Sequence, residues 1–403
     1  MALVGLLLKD FVSNLRIVDT FGSLRYKWNE SKCRLELKSS TKIQICNWRL
    51  YVAFLNLGIS LYQIILTWKV ASLMVIIHSA MLVTDYFVNF CSHYLHAAES
   101  KEFVKLFNSF IEFEERRYKK SGRPQNSTKT RMNGILFTKY LMQMMAVTGI
   151  LMPILANLDI IRNPCWPSYV GYWLSDRCQG KLGSTLDVAW TMKESGITVA
   201  IALFSYFNWS FMLCCYSFQI LASLILQGYC MKTYISKFGS AMRKTKTVTS
   251  TTRNKVMEFR ELQIFAIHYR LINSSYFLGF HTFCLIIVGV ICLYNTIIWA
   301  QNPDASSVQL GLNVLYLWCS FVTIFITVFI YGILADVYKI SKQVEKAMNC
   351  NEKLKTDKWL TRFLKTCPPI RVFIGGSNFL DELTPLTLED FVISQTVSLL
   401  LMN

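Results

Sequence analysis

Seven long apolar stretches, separated by segments that alternate between strongly basic and nearly uncharged, constrain this chain more than any other feature. Each stretch approaches or exceeds the ~20 residues that a helix rising ~1.5 Å per residue needs to cross ~30 Å of hydrocarbon. They run over about Arg49–Thr67, Ala71–Leu95, Ile135–Leu158, Ile197–Gln227, Tyr276–Trp299, Leu310–Val337 and Leu386–Met402. Composition agrees, since only 17% of the residues are charged and 53% are hydrophobic, against about 25% charged in soluble domains. The expected fold class is all-α, a polytopic membrane protein with seven transmembrane helices.

The basic residues fix the expected orientation. Residues 1–48 carry eight Lys/Arg, and residues 96–133, 232–274 and 338–377 carry nine each, which is 35 of the 42 in the chain. The intervening links carry few: Lys69 after the first stretch, Arg162, Arg177 and Lys181 across 160–192, and none across 300–307. Basic flanks stay on the cytoplasmic side because moving a cation across the bilayer is costly. The N-terminus is therefore expected inside and the C-terminus outside, in the plasma membrane. The opening Met1–Leu8 is apolar but is cut off by Lys9 and Asp10, with no basic region before it and no small-residue cleavage site, so no removable signal peptide is expected. A net charge of +17 would suggest nucleic acid in a soluble protein; here orientation accounts for it, and no nucleic-acid partner is expected.

The inner side carries structure of its own. Val337, Ile340, Val344 and Met348 continue a helical period beyond the sixth stretch, and Val256, Phe259, Leu262, Ile264 and Ile267 do the same ahead of the fifth. Such stripes either lie on the membrane surface or form a helical bundle beneath it. Residues 353–363 read as a further short helix stopped by Pro368 and Pro369, and Gly375 and Gly376 provide a turn before the last span. The expected division is a cytoplasmic segment 1–48, a six-helix ligand-binding bundle 49–337, a cytoplasmic anchor segment 338–379 and a seventh helix 380–403.

Few residues propose chemistry. Cys165 and Cys178 share an expected extracellular loop, where an oxidising environment permits a disulfide. His93 and His96 share a helix face with Cys91 nearby, but structural zinc wants four ligands, so polar residues at the end of a span are the ordinary explanation and no metal or cofactor is expected. His78 and Asp85 lie at membrane depth in the second span, where ionisable groups either line a cavity or pair with another helix. Asn208, Gln219, His281, Asn295 and Asn313 could likewise line a pocket or bond across helices. The fourth span is dense in aromatics, including Phe204, Phe207 and Phe211, which suits a small organic ligand and equally suits helix packing. No nucleophile elbow, phosphate loop or dinucleotide fingerprint appears, so an enzyme is not expected. A secondary transporter would show internal repeats and paired broken helices; only Pro153 interrupts a span.

Seven spans, an inside N-terminus, long inner extensions and a chain that ends within its last helix resemble the insect gustatory and odorant receptor superfamily. Gustatory receptors close their seventh span with Thr-Tyr, five apolar residues, then Gln-Phe. Here Thr396 matches, Val397 stands where Tyr is usual, residues 398–402 fill the run, Asn403 replaces the Gln with the same amide chemistry, and the Phe is missing. The approach to the first span, Phe21 to Trp28, is also similar. The resemblance implies a ligand-gated cation channel for a taste or odour molecule, a homotetramer or a heteromer with related subunits, needing no G protein. It implies a pore lined by the seventh helix, narrowed at Leu400 and Asn403 near Thr396, and a ligand pocket in the outer half of the bundle, where His78, Asp85, Phe204, Phe207, Asn208 and Phe211 are the candidates. A ring of Leu400 would gate by dewetting and a ring of Asn403 would coordinate ions. A subunit that needs a co-receptor is the alternative.

Overall fold

The computed structural model describes residues 7–20, 22, 24–69, 73–121, scattered positions between 136 and 154, and residues 192–243, 250–272, 274–301, 310–350, 357–376 and 378–402. The architecture is helical with two small hairpins. Helix α1 (Leu8–Thr20) buries Phe11, Val12, Leu15 and Val18, one stripe at helical spacing. The hairpin β1 (Tyr26–Asn29) and β2 (Arg34–Leu37) follows, antiparallel with Tyr26 opposite Leu37 and Trp28 opposite Leu35. Helices α2 (Ser40–Thr67) and α3 (Leu73–Ala98) are the first two expected spans, and α2 begins nine residues before the apolar run.

The sequence marks the basic segment 96–133 only as a link between spans, and the structure places a helix in it. Ser100–Ser121 is helix α4, with Phe103, Phe107, Phe110, Ile111 and Phe113 buried. Its Asn108 completes the first hairpin: Oδ1 accepts from Leu35 N at 2.9 Å and Nδ2 donates to Leu35 O at 3.0 Å. A side-chain amide thus satisfies a strand edge that would otherwise be left unpaired.

Helix α5 (Met192–Ser223) passes through a π-helical stretch, Leu224–Cys230, into α6 (Met231–Arg243), so the expected fourth span and the segment after it are one continuous helical run. Then come α7 (Ser250–Ile272) and α8 (Ser274–Gln301). Helix α9 (Leu310–Phe325) passes through a second π stretch, Ile326–Ile330, into α10 (Tyr331–Cys350). Helix α11 (Lys358–Lys365) starts at Asp357, which accepts from the N–H groups of Trp359 and Leu360. Strands β3 (Phe373–Ile374) and β4 (Asn378–Phe379) pair across the Gly375–Gly376 turn, where Gly375 takes φ +69°, and α12 (Thr384–Met402) ends the described chain.

Among the described residues, three helical runs are long and apolar enough to cross a membrane: Ser40–Leu66, Leu278–Gln301 and Asn313–Cys350. The two apolar stripes of α7 and α10 do pack into a bundle. Val256, Phe259 and Leu262 of α7 and Val337, Val344 and Met348 of α10 share one hydrophobic core with α1, α4, α6, Leu360 and Leu380. Ile264 and Ile267 depart from the expected stripe and are exposed. Aromatic rings fill the centre, with Phe11 stacked on Phe107 at 4.9 Å and Tyr26 on Phe103 at 5.2 Å.

Candidate functional site: a cavity between helices and the last helix

Three helices turn matching stripes toward one point. Leu213, Tyr216 and Ser217 of α5, His281, Cys284, Leu285 and Val288 of α8, and Cys319, Val322, Thr323 and Ile326 at and beyond α9 each follow the i, i+3, i+4 spacing of a single helix face. Together with Val88 of α3 and Thr148 they enclose a cavity of about 70 Å³. Its wall is chiefly apolar, with a few hydroxyl, thiol and imidazole groups, the chemistry of a site for a small organic molecule. Sites for drug-sized molecules are larger, roughly 300–1,000 Å³.

His281 organises the inner end of this cavity. The proton order follows from Thr282, whose Oγ1 donates to Leu278 O at 2.7 Å and therefore accepts from Tyr331 Oη at 3.0 Å. Tyr331 Oη then accepts from His281 Nδ1 at 2.7 Å, and Tyr216 donates to His281 Nε2. The neutral imidazole thus carries its proton on Nδ1, and the chain of bonds ties α5, α8 and α10 together, with Tyr331 directly after the second π stretch. Buried polar networks of this kind hold one arrangement because any broken link strands a donor or an acceptor.

The last helix lies on α8. Asp381 caps it: its Oδ1 accepts from Thr384 N at 2.9 Å, Leu383 N at 3.2 Å and Thr384 Oγ1 at 2.6 Å. The Thr384 hydroxyl, and then the backbone N–H groups, hold the Asp381 carboxyl below its usual range. An ion pair of 2.9 Å between Lys339 and Glu382 links α10 to the same approach. Val392 and Thr396 are buried, and Thr396 Oγ1 donates back to Val392 O at 2.8 Å. Contact is close because Gly289 offers no side chain: a Cβ there would stand 3.0 Å from Thr323 Cγ2 and 3.4 Å from Val392 Cγ1.

The residues expected at the two sites fall as follows. Thr396 faces the chain's own bundle, and Leu400 is half-buried one turn later on the same stripe, whereas Val397 and Leu401 are exposed, the latter 83%. Phe204 and Phe207 are 51% and 61% exposed on the outside of α5. Phe211 is buried with Ala53, Leu57, Val83 and Tyr86, away from the cavity. The side chains of His78, Asp85 and Asn208, and all of Asn403, Cys165 and Cys178, lie outside the described residues. Among the described residues no group of His, Cys, Asp or Glu is placed to hold a metal ion; His96 instead meets Tyr26 Oη through Nδ1 at 3.3 Å. His281 belonged to the polar positions singled out from sequence. Cys284, Cys319 and Thr323 did not, because nothing local marks a small residue as cavity wall until three helices converge on it.

The sequence matches no family model and no curated protein. Its fold is nevertheless shared. It is similar to the insect olfactory receptor OR5 from Machilis hrabei in complex with eugenol, with a TM-score of 0.70 and 13% identity over 98% of this chain and 99% of that one. A second structure of the same receptor gives a TM-score of 0.67 and 13% identity over 98% of each chain. From α1 to α12, the chain has the fold of an insect olfactory receptor.

Proposed function

We propose that this chain is a chemoreceptor of the insect gustatory and odorant receptor superfamily, a non-selective cation channel opened by a small organic molecule. The carrying observation is the nearly full-length fold likeness to OR5, a receptor whose structure is described in complex with eugenol. Beside it stands the apolar cavity between α3, α5, α8 and α9. The degraded C-terminal motif from Thr396 to Asn403 supports the gustatory branch. The chain spans the plasma membrane seven times with its N-terminus inside, as its basic segments favour. Four copies, or copies with related subunits, surround a pore lined by α12, with Leu400 and Asn403 near its outer mouth.

A ligand filling the cavity favours the state in which α5, α8 and α9 stand apart. Since α12 rests on α8 through Gly289 and Val392, that separation shifts the population of its positions. The direct test expresses the chain in cells, alone and with a co-receptor, and records currents against a ligand panel. Coupled uptake with no channel current would remove the channel reading, and current only with the second subunit would make it an obligate heteromer.

A further inference from the structure

A second cavity, of about 280 Å³, opens between α7 and the segment leading to β3. Ten residues line it, of which three are arginines, Arg260, Arg270 and Arg371, and none is acidic. Neighbouring arginines are neutralised: Arg116 pairs with Glu261, Arg117 with Glu258 and Arg253 with Asp357. Among the described residues no carboxylate pairs with Arg260, Arg270 or Arg371.

The three guanidiniums are nonetheless held in place. Arg260 Nη1 donates to Gln263 Oε1 at 3.0 Å and Thr366 O at 3.2 Å. Gln263 is only 4% exposed, and its Nε2 donates to Pro368 O at 2.5 Å, so one buried amide fixes both Arg260 and the facing wall. Arg270 Nη2 donates to Gly376 O at 2.9 Å, and its guanidinium lies 3.7 Å over the Phe373 ring. Arg371 sits 4.7 Å over the Phe379 ring. Each guanidinium has five N–H donors, so several on each remain for a ligand. Three held arginines without a carboxylate partner, lining one cavity, match the oxygens and the charge of a phosphate.

We propose that this cleft binds a phosphate-bearing anion, and the inference stands apart from the channel reading. Arg260, Gln263, Ile267 and Arg270 line one face of α7, and Ile267 there is 51% exposed, with Leu271 exposed one turn further on. Beyond them α8 enters its apolar run at Leu278. A basic cleft with an apolar rim at the foot of a membrane helix suits a lipid headgroup, and the same chemistry suits a free polyphosphate.

The full chain in phosphatidylcholine nanodiscs tests this, with and without phosphatidylinositol bisphosphate as one arm and with inositol hexakisphosphate in solution as the other. Binding is read by native mass spectrometry and by the shift in unfolding temperature. Saturable, salt-sensitive binding in either arm is expected, and the arm identifies the source. Arg260→Gln with Arg371→Gln should weaken it by about tenfold or more, and Arg→Lys at both positions, which keeps charge but loses the fork, by less. Lys101→Gln with Lys105→Gln, on exposed α4 positions, should leave it unchanged. No saturable binding in either arm, or equal loss in the α4 control, would overturn the proposal. If the Gln double variant fails to fold, the Lys double variant decides: undiminished binding there also counts against the cleft.

Discussion

His281 concentrates the polar chemistry of the cavity between α5, α8 and α9 into one side chain. Removing the Tyr331 hydroxyl takes away the acceptor of the His281 Nδ1–H and the donor to the Thr282 hydroxyl, which keeps its bond to Leu278 O. Tyr331→Phe is therefore expected to cost about 1–3 kcal/mol, visible as a lower unfolding temperature in detergent and as altered ligand sensitivity in recordings. At the other end of the molecule, Leu400 and Leu401 separate two views of the pore. Leu400 shares the half-buried stripe with Thr396, whereas Leu401 stands on the free face. Leu400→Ala should produce a leak current if the motif residue narrows the pore; a leak from Leu401→Ala alone would move the constriction to the free face. At this scale the sequence was legible where a residue was out of place for its surroundings, as a histidine at membrane depth is. It was silent on Cys284, Cys319 and Thr323, whose role is set by neighbours on other helices. Aromatic density on α5 likewise does not say which side of the helix faces the bundle, and Phe204 and Phe207 lie on its exposed side.

The elements were legible by length and period where their composition was plain. The helical extensions over α7 and α10, the proline stop before β3 and the glycine turn all follow from local rules that the structure obeys. Helix α4 was obscured because its charged residues dominate the composition, although Phe103, Phe107, Phe110 and Ile111 keep the period. The first hairpin was obscured because four-residue strands carry too little alternation, and one edge depends on Asn108 from α4. Two predictions belong here. Asp381→Ala removes the cap of α12 and should cost about 1 kcal/mol, measured by faster hydrogen exchange at residues 383–387. Because the folded carboxyl titrates below its usual range, the cap's contribution is fully present above the ordinary carboxylate value and is lost as pH falls through the lowered one. Gly289→Val overfills the contact between α8, α9 and α12 at about 1–3 kcal/mol. It should change the open probability as well as the unfolding temperature; unchanged gating would show that α12 does not move against α8.

For the whole molecule, one core joins α1 to Leu380 before the last helix, so this bundle is assembled from segments far apart in sequence. Composition explained the basic residues by orientation alone; packing adds that several of them bridge elements, as Arg34 does to Glu115 and Arg117 to Glu258. An N-terminal epitope tag should stain only after the plasma membrane of expressing cells is permeabilised, and staining of intact cells would reverse the topology. The two π stretches carry a different consequence. A π turn takes up one residue beyond what an α-helix needs for the same path, so Leu224–Cys230 and Ile326–Ile330 are places where chain length and shape come uncoupled. Deleting one residue within either should relax it to α geometry and leave the faces above and below in phase. The same deletion in the middle of α10 would turn everything after it by about 100° and pull Val344 and Met348 out of the core.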